Sequence, residues 1–238
     1  MPAFGDDVWE DEHMRVVVIR HHDVDSAGFI GAAFEARGAE LSVTLFPKES
    51  LPALDGIDHA VVLGAVWSVY DDSPDRAWIA DELAWLRRAD EAGVPVLGIC
   101  FGAQALAAAF GGRVEAAARK EVGWSMVESY DPELIPPGPW LEFHGDRCLP
   151  PQQARVLARN EVGVQAFSAG RHLAVQFHPE ADGEQLRLWM DGGGREEAEQ
   201  AGTDPDRFLA ETFAQEPGAR ARADTLVASA LLIADQAR

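Results

Sequence analysis

Cysteine is scarce in this chain: two in 238 residues, Cys100 and Cys148. Two thiols cannot build a disulfide framework, and such sparing use suits a reducing, cytoplasmic setting. Basic residues are also few, 20 Lys and Arg against 40 Asp and Glu, for a net charge of −20. A surface of that sign repels the phosphates of nucleic acid and anionic membranes, so neither is expected as a partner. Solubility is the plain reading of the acidity. Long apolar runs are missing; none approaches the ~20 residues of a membrane span. The N-terminal residues lack the basic and apolar regions of a secretion leader. What is present is ordinary globular usage, 47% hydrophobic and 25% charged, enough for a buried core.

The apolar pattern divides the chain into a polar, acidic tail at 1–14 that includes Trp9, a main domain at 15–190, and a helical extension at 191–238. Arg15 to Arg20, Leu41 to Phe46, His59 to Leu63 and Val94 to Ile99 read as strands, the third apolar enough for burial on both faces. Helices are expected at Ala27 to Arg37 and from Ser73-Pro74 to Gly93, Ser as N-cap and Pro in the first turn. This βαβα order predicts an α/β fold, a mostly parallel central sheet flanked by helices. Past Gly112 shorter strands follow at Val114 to Glu115, Val122 to Glu128, Trp140 to Phe143, Ala154 to Ala158, Val164 to Ser168 and Leu173 to Phe177. Helices are expected at Gln185 to Met190, Asp204 to Phe213 and Arg220 to Gln236. Gly192-Gly193-Gly194 reads as a flexible joint, since it follows a helix and has no lysine partner for a phosphate.

The most informative segment is Gly98-Ile99-Cys100-Phe101-Gly102-Ala103-Gln104. A buried strand ends at a thiol and a small-residue helix begins at once, with glycine two positions to either side. This has the form of a nucleophile elbow with Cys in place of Ser. The sharp turn needs unusual backbone angles and no bulky neighbours, which glycine permits. The helix start places unpaired N–H groups beside the sulfur, favouring the thiolate that attack requires. A thiol nucleophile needs a base, and the base an orienting group. Gln176-Phe177-His178-Pro179-Glu180, at the end of another apolar strand, supplies His178 and Glu180. His21-His22-Asp23 follows the first strand at its ligand-binding edge, but lacks a fourth metal ligand at a recognisable spacing, and reads as a solvated loop at a pocket rim. No metal is expected. Cys148 reads as a structural thiol, and Trp78, Trp85 and Trp189 as helical core.

These two motifs resemble the class I glutamine amidotransferases, in the manner of a stand-alone GMP-synthase-type amidotransferase domain, a flavodoxin-like fold. Leu63-Gly64-Ala65-Val66-Trp67-Ser68-Val69-Tyr70, Glu121-Val122-Gly123-Trp124, Phe143-His144-Gly145-Asp146 and Gln165-Ala166-Phe167 are similar to further stretches of the family. The resemblance implies a glutaminase-type hydrolase, with Cys100 attacking the glutamine side-chain amide to form a thioester, His178 as base and then acid, and Glu180 orienting it. It implies an oxyanion hole from the backbone N–H groups of Phe101 and Ala65, each worth about 3 kcal/mol of barrier. It places Gln104, Gly64, Trp67, His144, Gly145 and Asp146 around the bound glutamine. No cofactor is implied. Ammonia would pass to a separate synthetase subunit; a homo-oligomer is left open. Two alternatives stay open: a γ-glutamyl hydrolase, peptidase or transferase with the same triad, and a non-catalytic binding or regulatory subunit of the same fold. Ala65 and Val66 stand where the family carries Gly and Pro, and that departure favours the last.

Overall fold

Hydrophobic runs at Arg15–Arg20 (β1), Glu40–Leu45 (β2), His59–Val62 (β3) and Val96–Ile99 (β4) pair in parallel in the computed structural model, which describes residues 13–237. The tail up to residue 12, with Trp9, lies outside the described residues. Chain order puts helices between the strands: α1 (Gly28–Glu35), α2 (Trp78–Glu91) and α3 (Phe101–Ala109). The second half adds β5 (Arg113–Ser125), β6 (Glu128–Ser129), β7 (Trp140–Leu149), β8 (Arg155–Arg159), β9 (Val164–Ala169) and β10 (His172–Val175). The sheet runs β2-β1-β3-β4-β10-β9-β7-β5, with β8 on β9 and β6 on β8. The strand β10 joins β4 in parallel and β9 antiparallel. It is therefore the seam between the parallel half and the antiparallel half. This is the expected α/β architecture, including the added C-terminal helices.

Alternation along β1 sorts the core into two layers. Val16 and Val18 face Phe29, Ile30 and Phe34 of α1 and the C-terminal helix. Val17 and Ile19 face Ile79, Trp85 and Leu86 of α2 and Phe101 and Leu106 of α3. A smaller apolar cluster under α4 (Gly183–Trp189) joins Leu141, Leu186 and Met190 to Phe208. No helix among the described residues is long and apolar enough to cross a membrane.

Several elements differ from the sequence reading for identifiable reasons. Ser73 starts only a short 3-10 turn at Pro74–Arg76, because its hydroxyl bonds Asp71 instead of capping; α2 begins at Trp78. The expected strands at Val114 and Val122 are one strand, β5, with a register shift between Ala116 and Glu121. After α5 (Arg195–Gln200), the two expected C-terminal helices are one, α6 (Pro205–Gln236), continuous through Pro217. A proline inside a helix costs ~3 kcal/mol. Packing offsets it: Ala219, Ala223, Leu226, Val227 and Ala230 form an unbroken buried stripe. The glycine triplet closes an irregular turn joining α4 to α5, where Gly193 takes φ +116°.

A tight backbone approach lies under the thiol turn. A Cβ on Gly102 would overlap the Val62 carbonyl, and one on Gly98 would come 2.6 Å from the Gly102 carbonyl oxygen. Gly102→Ala is therefore expected to destabilise the protein by at least the ~1–3 kcal/mol typical of overpacking. Urea denaturation checks this, and an unchanged midpoint would show that β3 and α3 can move apart.

Candidate functional site

The parallel strands β1, β3, β4 and β10 end at one edge, and the chain leaving each of them builds the site. After β4 comes Cys100, at φ 51° and ψ −107°, the one non-glycine with positive φ among the described residues. Its N–H donates to the Val175 carbonyl at 2.8 Å, and its own carbonyl accepts from the Gln104 N–H at 3.0 Å. The turn is thus tied to β10 and to α3. A strained backbone of this kind costs ~1–3 kcal/mol and persists because its surroundings determine it.

After β10 comes His178, whose N–H donates to Leu141 O at 2.8 Å. Its Nδ1 meets Glu180 Oε1 at 2.7 Å, and both side chains are buried. Burial works against charge on His178, yet the Glu180 carboxylate and the neighbouring Cys100 sulfur outweigh it and hold the imidazole well above its ordinary value. Trp189 meets the His178 ring edge-on at 4.9 Å and donates its indole N–H to Asp25 Oδ1 at 3.0 Å. Burial pushes the Asp25 carboxyl up.

A cavity of about 610 Å³ opens beside this pair. The segment after β3 supplies Gly64, Ala65 and Trp67 to its wall, α3 supplies Gln104, β7 supplies His144, Gly145 and Asp146, and the turn after β10 supplies His178 and Glu180. Asp146 clasps two of these elements together, accepting from Ser68 Oγ at 2.5 Å and Tyr70 Oη at 2.9 Å. Two sequence-predicted residues are not on the wall: Cys100 and Phe101, 6% and 0% exposed, lie behind it. Gly64 lies against both the thiol and the ring; a Cβ there would come 3.0 Å from His178 Cε1 and 3.9 Å from Cys100 Sγ.

This geometry corrects the expectation of an assembled thiol hydrolase. The His178–Glu180 half forms. The Cys100 sulfur is near enough to raise the proton affinity of the ring, but among the described residues the ring's geometrically defined hydrogen bond is Nδ1 to Glu180. The one group of three His, Cys, Asp or Glu side chains whose polar atoms all lie within 4.8 Å of one another, among the described residues, is Glu121, Glu142 and His144, which contains no thiol. A thiol nucleophile, a hydrogen-bonded catalytic triad and glutaminase chemistry, all implied by resemblance, do not follow from this arrangement.

That second cluster is an ion-pair network. His144 Nδ1 donates to the Asp146 carbonyl at 2.8 Å, while Nε2 faces Glu142 Oε2 at 3.1 Å and Glu121 Oε2 at 3.3 Å. Burial opposes the charge, but the two carboxylates lift His144 to about 10. Burial pushes Glu142 up; for Glu121 it is outweighed by His144, Asn160 and Gln165, which hold that carboxyl low. The residues would suit a cation by type, but the ring proton already occupies the position between the carboxylates.

Four contributors escaped sequence reading. His21 is buried rather than solvated, with Glu82 as its partner. Trp189 faces the cavity instead of serving only as core. Lys120 and Glu197, paired at 2.8 Å, close one side. The position of His21 at the end of β1 was a usable signal; nothing local to the sequence pointed to Glu82 or Glu197.

His144→Gln leaves two buried carboxylates together and is expected to cost ~3–5 kcal/mol at pH 7, as for other broken buried pairs. Because the folded pKa of His144 is raised from 6.5 to about 10, its contribution is full below pH 6.5 and is lost as pH rises towards 10. Urea midpoints at pH 6.5 and 9.5 check both points: the fall across this window should be shallower in the variant than in the native protein.

The profile "Glutamine amidotransferase class-I" matches residues 29–188. A glutamine-hydrolyzing GMP synthase of Thermomicrobium roseum is 40% identical over 130 residues, covering 50% of this chain and 23% of the relative. One from Nitrobacter hamburgensis is 34% identical over 165 residues, covering 63% and 29%. The chain thus spans about a quarter of the length of these curated relatives. A glutamine amidotransferase crystal structure from Thermotoga maritima superposes with a TM-score of 0.82 at 25% identity, covering 92% of this chain and 98% of that one. A glutamine amidotransferase structure from Methylobacillus flagellatus, 22% identical with TM-score 0.82 over 93% and 95% of the two chains, shares the fold. The match along the chain, together with the strand-end site, places this protein in the class-I glutamine amidotransferase family.

Proposed function

We propose that this chain is a non-catalytic, fold-conserved member of its family, a subunit that binds glutamine or a γ-glutamyl compound. One observation carries the reading: the cavity wall holds the polar groups such a ligand needs, while Cys100 is buried off that wall and the defined hydrogen bond of His178 goes to Glu180. The roles of the wall residues are likewise proposals. Asp146, fixed by Ser68 and Tyr70, offers a carboxylate to an α-amino group. Gln104 and the backbone near Gly64, Ala65, Trp67 and Gly145 offer hydrogen bonds to an α-carboxylate and a side-chain amide. His144 steadies the Asp146 carbonyl rather than touching ligand. Within the turn behind the wall, Cys100 and the Phe101 N–H act as structure, and His178 with Glu180 presents a charged face to the ligand amide.

Resemblance to glutamine-hydrolyzing GMP synthases over part of their length supports a synthetase-type partner. Two free thiols and the absence of any membrane-length helix among the described residues suit the cytoplasmic setting proposed for it.

Calorimetry with glutamine should give saturable one-site binding without ammonia release. Asp146→Asn keeps the shape and removes the charge. It should weaken binding by about tenfold to a hundredfold, the value of a charge-assisted hydrogen bond. Ammonia release that disappears in Cys100→Ala would overturn the non-catalytic reading.

A further inference from the structure

The Gly64–Ala65 peptide is held by a buried pair, His21 and Glu82, of which His21 also reaches the cavity lining. His21 follows β1 and Glu82 lies on α2; they are 4% and 0% exposed. Imidazole Nε2 meets Glu82 Oε2 at 3.0 Å, and Nδ1 meets Gly64 O at 3.0 Å. A carbonyl oxygen only accepts, so Nδ1 carries a proton. The ring is further fixed by Trp78, stacked at 5.5 Å, and by the edge of Phe101 at 5.0 Å.

The Gly64–Ala65 bond is trans, since the cis bonds among the described residues are Phe46-Pro47 and Gly138-Pro139. In a trans peptide the C=O and the following N–H point in opposite directions. Fixing the Gly64 carbonyl on His21 therefore fixes the Ala65 N–H facing away from His21. Ala65 lies on the cavity wall, and among the described residues its N–H has no hydrogen-bond acceptor. An unpaired amide on a cavity wall is an anion or carbonyl donor awaiting its partner. The neighbours of Ala65 do not supply this control: Val66 is 83% exposed, and residue 65 is not a glycine that would let the peptide flip freely.

We propose that His21, braced by Glu82, is a positioning residue that sets the Gly64–Ala65 peptide plane so that the Ala65 N–H is presented to a carbonyl or carboxylate oxygen of the bound ligand. This rests on the ligand-binding reading above. It assigns to this buried pair a role that acts through the peptide it holds. Conversion of Glu82 to an uncharged residue acts through His21, and loss of His21 acts through the peptide plane.

The test uses the double variant His21→Phe with Glu82→Met, which exchanges the buried pair for apolar groups of similar volume, a replacement that buried pairs often tolerate. Glu82→Gln alone serves as the milder variant should the double variant fail to fold. His21→Asn with Glu82→Met puts an amide nitrogen close to where Nδ1 stands. Two NMR signals report directly: the Gly64 carbonyl ¹³C, which senses the hydrogen bond from His21, and the Ala65 amide ¹⁵N–¹H, which senses ligand oxygen. In the native protein, saturation with glutamine should move the Ala65 amide proton downfield. In the double variant the free-state Gly64 carbonyl should move upfield, the ligand-induced Ala65 shift should vanish, and glutamine affinity should fall about tenfold. The Asn variant should recover part of both signals. Gly64 and Ala65 signals unchanged in the double variant, with native affinity, would overturn the proposal. If the native protein binds no glutamine, the ligand-binding reading falls, whereas the free-state Gly64 carbonyl still decides whether His21 holds the peptide.

Discussion

Parallel pairing of β1, β3, β4 and β10 is the constraint on which the site depends. Parallel strands end at the same edge, so residues far apart in sequence leave the sheet side by side. His21, Gly64, Cys100 and His178 each follow one of these four strands. The registers Val18↔Val61, Val61↔Leu97 and Leu97↔Leu173 fix their relative heights. A slip of one residue in any strand would reverse its side chains and move its exit point by roughly 3.3 Å. The two-sided core holds the register, since both faces of β1 are buried against helices.

Much of this was legible in the sequence. Apolar runs located the four strands, and the glycines at 98 and 102 marked a turn too tight for side chains. The pair His178-Pro-Glu180 was readable because both partners lie within three residues. Less local features were not. Whether β5 was one strand or two depended on a register shift against β7. The passage of α6 through Pro217 depended on a stripe that packs onto α1 and β10, and helix propensity alone argued for a break. Glu82 carries no local signal of its burial, which follows from the histidine that β1 places beside it. The alignment of a thiol with an imidazole is a matter of distance and angle, and no motif encodes that.

Three buried histidine–carboxylate units surround the cavity: His21 with Glu82, His144 with Glu121 and Glu142, and His178 with Glu180. In a chain of net charge −20 this has a physical logic. Buried carboxylates need a positive partner, and a compact ring fits against Trp78, Phe101 and Trp189 where a long lysine stem would not. In each unit burial alone would discharge the imidazole, and in each the carboxylate reverses that. The fields of these units act on the same enclosed space, which suits a ligand carrying both an amino and a carboxylate group.

The elbow at Cys100 is easily read as a commitment to thiol chemistry, but its strain belongs to the backbone. The positive φ is imposed by the Cys100 N–H on Val175, by the Cys100 carbonyl on Gln104, and by the contact of Gly102 with Val62. None of those contacts involves sulfur, so the turn is maintained by the packing of β4, β10 and α3 whatever the side chain does. Chemistry at such a turn requires a second condition, the alignment of the sulfur with a base. Fold and reactivity are thus separable at this position: the first is held by backbone contacts, the second by the placement of one side chain against a base. In this chain the elbow, the cavity and its ring of paired histidines are held by contacts that do not involve the sulfur.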